Sequence, residues 1–423
     1  MHRRSMRSAV VLVAIATLTL AACSSKSDSS SSTSAAASSG SAASGSASGS
    51  ASASGALTIV PLKQITPEGQ DVATAAASTP VTPAGNGKAT CPAGTAIAMA
   101  GPLTGSNAAL GINIIDGAQL AISQFNMANP GCQITIKQFD TEGDPQKATQ
   151  VAPQIVGDAT IIGLLGPAFS GETKATGPIF NQAGLLSATS SATLPALTTN
   201  GWTNFFRGLG NDNSQGGAAA NYMTGTLGLN KVCVVQDDSA YGVGLAEVVS
   251  EALGAAADGN CAVKVKGGDK DFSAGIQLIK GESPDGVYFA GYYAEASPFV
   301  QQLRDAGVTA QFVAGDGVND QHFVDQAGQA SDGAILTCPC APATAQFVTD
   351  YTALNNIAPG IYSVEAYDLA TIMVTGIAAG KVTDRASMIE YFKTYNGQGL
   401  AKTYKWDSSG ELAQQNPWVY QVK

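Results

Sequence analysis

Short β-rich apolar runs alternate with stretches of helical period along residues 91–423. The runs at 95–100, 133–139, 161–165 and 185–188 each border a helical stretch. The first helix is the clearest, because Ile114, Ala118, Ala121 and Phe125 recur every three or four residues and so share one face. After about residue 208 the rhythm begins again, with strands expected at 232–235, 263–265, 286–289 and 311–314 and helices between them. Strands separated by helices are joined by right-handed crossovers and lie parallel in a sheet covered on both faces. Two such series predict an α/β fold of two doubly wound parallel-sheet lobes, and the length is too great for one ordinary core.

The first 90 residues break this pattern. Arg3, Arg4 and Arg7 precede an apolar stretch at 9–20 that is too short to span a bilayer, as expected of an export signal over residues 1–22. Leu20-Ala21-Ala22-Cys23 resembles the lipobox of bacterial lipoproteins. That resemblance implies lipidation of Cys23 and anchoring to the outer face of the cytoplasmic membrane. From 24 to 55 the chain is almost wholly Ser, Ala and Gly, and it stays poor in large apolar residues to 90. Such a stretch buries too little to offset its conformational entropy, so 23–90 is expected to be a flexible tether.

Removing the leader takes three of the 22 basic residues and none of the 32 acidic ones, moving the net charge from −10 to −13. An acidic chain of this kind excludes nucleic acid as an expected partner. Of the seven cysteines, six remain beyond Cys23, an even number in an exported chain, which favours disulfides over metal ligation or thiol catalysis. Spacing does not fix the connectivity. Cys91 with Cys132 and Cys233 with Cys261 are the favoured pairs, each joining the starts of successive strands, and Cys338 and Cys340 are left as a close pair or as two thiols.

Ligands of parallel α/β sheets gather beyond the carboxyl ends of the strands, where helix N-termini present unpaired N–H groups. In the first half these ends read Gly101-Pro102-Leu103-Thr104-Gly105, Gly166-Pro167-Ala168-Phe169-Ser170-Gly171 and Ser190-Ser191-Ala192-Thr193, which are small, hydroxyl-rich and nearly uncharged. In the second half they read Asp237-Asp238-Ser239-Ala240-Tyr241-Gly242, Gly291-Tyr292-Tyr293 and Gly315-Asp316-Gly317, adding aromatic rings and carboxylates. Catalysis is not expected. Beyond the leader only His322 remains to build a triad or zinc site, and Gly242-Val243-Gly244 lacks the third glycine of a dinucleotide fingerprint. The adjacent Asp237 and Asp238 suit a turn better than a catalytic pair. No cofactor is implied.

Across nearly all of 91–423 these segments, together with Lys270-Asp271-Phe272-Ser273 and Lys405-Trp406-Asp407, resemble in order and spacing the leucine/isoleucine/valine-binding protein family. Its members are type I periplasmic binding proteins that serve ABC importers. The resemblance implies a hinge of several crossings, with lobe 1 at 91–208 and 339–392, lobe 2 at 209–338 and 393–423, and the helical pattern at 364–379 packed back on lobe 1. It implies a monomer that captures an amino acid and hands it to an ABC permease. Ser170 and Thr193 would donate hydroxyls to the ligand carboxylate, helped by backbone groups of Ser191 and Ala192. Tyr241 and Tyr292 would flank the ligand, Asp316 would pair with its ammonium, and Leu110 and Phe169 would wall the side-chain pocket. Family members often carry Glu where this chain has Asp316 and an aromatic where it has Leu110, so a branched or aliphatic side chain is only weakly specified. A short amide, urea or a carboxylic acid is the alternative ligand, and sensing the alternative to transport. An acid at 316 disfavours a carboxylate that lacks a cation.

Overall fold

The computed structural model describes residues 56–73 and 79–423. The leader, Cys23 and the tether up to residue 55 lie outside the described residues. Lobe 1 holds a five-stranded parallel sheet in the order β3-β2-β4-β5-β6, from β2 (Ala96–Gly101), β3 (Thr135–Asp140), β4 (Ile161–Leu165), β5 (Ser187–Thr189) and β6 (Phe205–Arg207). Every residue of β2 and β4 is buried, which is why both read as unbroken apolar runs. Helices α1 (Ala108–Ala128), α2 (Pro145–Gly157) and α3 (Ser170–Gln182) connect the strands. Asp144 starts α2 by accepting from the Gln146 and Lys147 amides, with Pro145 at the first helical position.

Lobe 2 is built on a seven-stranded sheet that begins with β1 (Ile59–Gln64) and β14 (Trp418–Val422) and runs in the order β1-β14-β11-β10-β9-β7-β8. Its parallel part comprises β7 (Val232–Gln236), β8 (Val263–Lys264), β9 (Gly286–Ala290), β10 (Gln311–Ala314) and β11 (Ile335–Cys338). The covering helices are α4 (Asp212–Asn221), α5 (Ala240–Leu253), α6 (Ser273–Glu282), α7 (Tyr293–Asp305) and α8 (Gln321–Ala327). The chain then returns to lobe 1 as α9 (Ala345–Asn355), α10 (Ser363–Ala378) and α11 (Arg385–Thr394), which pack on α1 and β4. A Cβ on Gly117 of α1 would come within 2.1 Å of the Ser363 carbonyl, so α1 and α10 meet backbone to backbone. That contact fixes the start of α10 against lobe 1.

Two segments depart from the sequence reading. The tether expected to run to residue 90 ends earlier, because β1 (Ile59–Gln64) pairs antiparallel with β14 (Trp418–Val422) as the outermost strand of the lobe 2 sheet. Ile59 and Val60 are half-buried there, enough for a strand once a partner supplies the ladder. Residues 81–91 then follow lobe 1. Val81 donates to the Gln398 carbonyl at 2.8 Å, and the Asn129 side chain grips Ala84 and Ala89. The second departure is the segment expected wholly in lobe 2 from residue 393. The hairpin β12 (Asn396–Gln398) and β13 (Thr403–Lys405) leads to Trp406, which donates to the Arg207 carbonyl at 2.6 Å and packs on Phe206 and Phe392, so this stretch leans on lobe 1. Only β14 joins the lobe 2 sheet.

The structure bonds Cys91 to Cys132, Cys233 to Cys261 and Cys338 to Cys340, with Cα separations of 4.9, 5.2 and 5.0 Å. Among the described residues no helix is long and apolar enough to cross a membrane.

Candidate functional site

On the lobe 1 side, α3 starts at Ser170 with Phe169 as its extended N-cap, so Ser170 is the first helical residue and not the cap. Glu172 folds back to accept from the Phe169 amide at 2.7 Å and bonds the Thr141 hydroxyl. The Ser170 hydroxyl accepts from the Leu194 amide at 3.2 Å and so ties the helix start to the loop after β5. In that loop Ser191 donates its hydroxyl to the Ala168 carbonyl, while the Ser191 and Ala192 amides turn back on the Thr189 hydroxyl at 3.3 and 3.0 Å. Arg207, fully buried, holds the loop from behind. Its guanidinium donates to the carbonyls of Ala192 and Leu194 and pairs with Glu411 at 2.7 Å. Thr193 lies between the two restrained carbonyls. Its hydroxyl sits beside Asp212 without a well-formed hydrogen bond.

On the lobe 2 side three strand ends converge. Ser239 caps α5 and places Tyr241 in its first turn. Tyr292 caps α7, and Asp316 opens a short turn after β10. Tyr241 donates to Asp316 Oδ1 at 2.6 Å, and the Gly317 amide donates to the Tyr241 hydroxyl at 3.1 Å. Residue 317 must be small, since a Cβ there would lie 2.5 Å from the Gly291 carbonyl and 3.0 Å from both tyrosine rings. Tyr292 stacks on Phe169 of lobe 1 at 4.4 Å between ring centres and leans on Tyr241 at 5.2 Å. Its neighbour Tyr293 points away, towards His322. Leu110 is fully buried at the start of α1. Asp237 forms a turn, accepting from the Ser239 amide and hydroxyl.

Two residues of this site escaped the sequence reading. Tyr362, at the start of α10 with a left-handed φ of 68°, reaches across from lobe 1 and donates to Asp316 Oδ2 at 2.6 Å. Asp212, the first residue of α4, is fully buried, and neither of its carboxyl oxygens has a hydrogen-bond partner. In sequence Asn211-Asp212 looks like an ordinary helix start, and a tyrosine with positive φ leaves no signal at all.

Burial pushes the Asp212 carboxyl up to about 8, and the nearby charge of Asp316 adds to this. Burial also raises Asp316, against the lowering effect of its two tyrosine donors. Glu172 is raised to about 7 by burial. The Gln215 side chain also lies next to Asp316, and its amide donates to the Thr337 carbonyl at 2.9 Å. The middle of the site therefore gathers two buried carboxyls, Asp212 and Asp316, with the Thr193 hydroxyl beside the first. Burying unpaired acceptors is costly, and a cation with several N–H groups is what would satisfy them.

The model of the periplasmic binding protein family matches residues 95–423. A leucine-, isoleucine-, valine-, threonine- and alanine-binding protein of Pseudomonas aeruginosa is 31% identical over 334 residues, which are 77% of this chain and 88% of that protein. Among solved structures, a leucine-binding protein of Thermotoga maritima superposes with a TM-score of 0.71 at 26% identity, over 78% of this chain and 95% of the other. A branched-chain amino-acid transporter substrate-binding protein of Streptococcus pneumoniae, in complex with isoleucine, superposes with a TM-score of 0.70 at 27% identity, over 76% and 93%. Matched along most of its length, the chain belongs to the periplasmic binding protein family, whose members are solute-binding proteins and not enzymes.

Proposed function

We propose that this protein captures an α-amino acid between its lobes and delivers it to an ABC importer. The observation that carries the reading is the pair of buried acids, Asp212 and Asp316, close enough for the charge of one to raise the other, with the Thr193 hydroxyl beside Asp212. A zwitterion shut between lobes loses its water, so each charge needs a fixed partner. The ammonium falls to Asp316 and Asp212. The carboxylate falls to the Ser170 and Thr193 hydroxyls and to the first N–H groups of α3. The relatives that bind leucine, isoleucine and valine, one of them solved with isoleucine, support a branched-chain or aliphatic side chain, which Leu110 and Phe169 suit.

Cys23 is proposed as the lipidated residue that keeps the protein, as a monomer, near its permease. Cys23→Ala should release it from the membrane with its affinity unchanged; persistent anchoring would remove that part of the reading. The ligand class is tested by thermal shift on residues 56–423, offering common amino acids beside short amides, urea and simple carboxylates. A ligand that binds only the folded state raises its melting temperature. A shift with aliphatic amino acids supports the proposal, and a shift confined to the other classes overturns it.

A further inference from the structure

Besides the residues around the two acids, a buried hydrogen bond between two side chains joins the lobes directly. Asn113, on α1 of lobe 1 and 6% exposed, donates from Nδ2 to Asp320 Oδ2 of lobe 2 at 2.8 Å. Asp320 is 3% exposed, and its other oxygen is held within lobe 2. It caps α8 by accepting from the His322 amide at 2.9 Å and meets the His322 ring nitrogen Nδ1 at 2.7 Å. One carboxylate oxygen is therefore committed to its own lobe while the other is free to face the opposite lobe. The lobe 1 side is equally confined. A Cβ on Gly360 would lie 2.2 Å from Asn113 Nδ2, so the backbone before α10 lies against the amide and limits where it can point.

We propose that Asn113 and Asp320 form a closure latch, a contact that stabilises the closed arrangement of the lobes without being among the groups assigned to the ligand. It rests on the reading that the lobes close over a solute. A binding protein whose competent state is only partly populated binds more weakly by that fraction, so a contact made only on closure tightens binding at a distance. A hydrogen bond to a charged group is the strong kind, and breaking it inside the closed interface strands a desolvated carboxylate oxygen. Asn113 and Asp320 are thus positioning residues for capture.

The test is a pair swap. Asn113→Asp sets a second carboxylate against Asp320. Asp320→Asn added to it restores a donor facing an acceptor and keeps a residue able to cap α8. Spin labels on Gln146 of lobe 1 and Lys270 of lobe 2 report the separation of the lobes by electron–electron double resonance without any ligand, so this readout is independent of what the protein binds. L-leucine titrations report affinity. Asn113→Asp should broaden the label distances towards an open state and weaken leucine binding by at least about tenfold, mostly through faster release. The double variant should recover both. An unchanged distance distribution in Asn113→Asp, or a double variant as open as the single, overturns the latch. If no variant, nor the parent protein, binds leucine while the distances behave as stated, the latch stands and the assigned ligand falls.

Discussion

Replacing Asp316 by alanine removes the acid on which the Tyr241 and Tyr362 hydroxyls converge, at 2.6 Å each. A bound ammonium would then face Asp212 alone. Stripping one partner from a buried ion pair costs about 3–5 kcal/mol, which at about 1.4 kcal/mol per decade is roughly two to three and a half orders of magnitude in Kd. Asp212 moderates the loss. Part of the upward push on its carboxyl comes from the charge of Asp316. With that charge gone, Asp212 ionises more readily and takes over some of the ammonium, so the loss should fall near the lower end, about a hundredfold. The same reasoning makes the two acids non-additive: Asp212→Asn should cost more in the Asp316→Ala background than in the parent. Calorimetric titration with L-leucine at pH 8 measures all four proteins. A loss below tenfold for Asp316→Ala, together with strict additivity, would refute the shared-ammonium arrangement.

Other consequences are simpler. Ser170→Ala and Thr193→Ala should each weaken leucine binding by about 1–3 kcal/mol, the scale of a hydrogen bond to a charged group, and an effect within twofold for both would exclude them as carboxylate partners. Arg207→Ala should destabilise the fold by about 3–5 kcal/mol in denaturant unfolding, because it leaves the Glu411 carboxylate without its partner beside two orphaned carbonyls; a loss under 1 kcal/mol would show that the loop after β5 holds itself. Between pH 8 and pH 5 two trends should oppose each other. The folded carboxyl of Asp212 lies above its unfolded value, as do those of Glu172 and Asp368, so the unliganded protein is stabilised as pH falls through this window. A protonated Asp212 no longer offers a charge to the ammonium, so leucine affinity should decline over the same range. A melting temperature and a leucine affinity that rise or fall together over this range would contradict this. Replacing Cys91 and Cys132 opens a 41-residue separation and should cost about 4 kcal/mol, whereas replacing Cys338 and Cys340, two residues apart, closes no comparable loop and should cost far less in the same unfolding assay.

The alternation of apolar runs and helical faces made the lobes legible because buried parallel strands must be apolar throughout and their crossover helices must be amphipathic. The same logic pointed to the loops where strands end, and the family resemblance singled out Ser170, Tyr241, Tyr292 and Asp316 within them. Asp212 and Tyr362 stayed hidden for a different reason. Each starts a helix, and each gains its role only when a distant segment folds against it: Asp212 beside Thr193, Tyr362 across the cleft from Asp316. Strand β1 was missed because its half-buried residues carry little signal until β14, more than 350 positions later, supplies the ladder. Long-range pairing is the part of a fold that local pattern encodes least.

The most direct measurement compares L-leucine with 4-methylpentanoate, which keeps the side chain and carboxylate and lacks the ammonium. With two buried acids facing that position, the deaminated analogue should bind at least a hundredfold more weakly than leucine at pH 8, the scale of an unpaired buried charge. Equal affinities, or a preference for the analogue, would mean that Asp212 and Asp316 do not meet a cation.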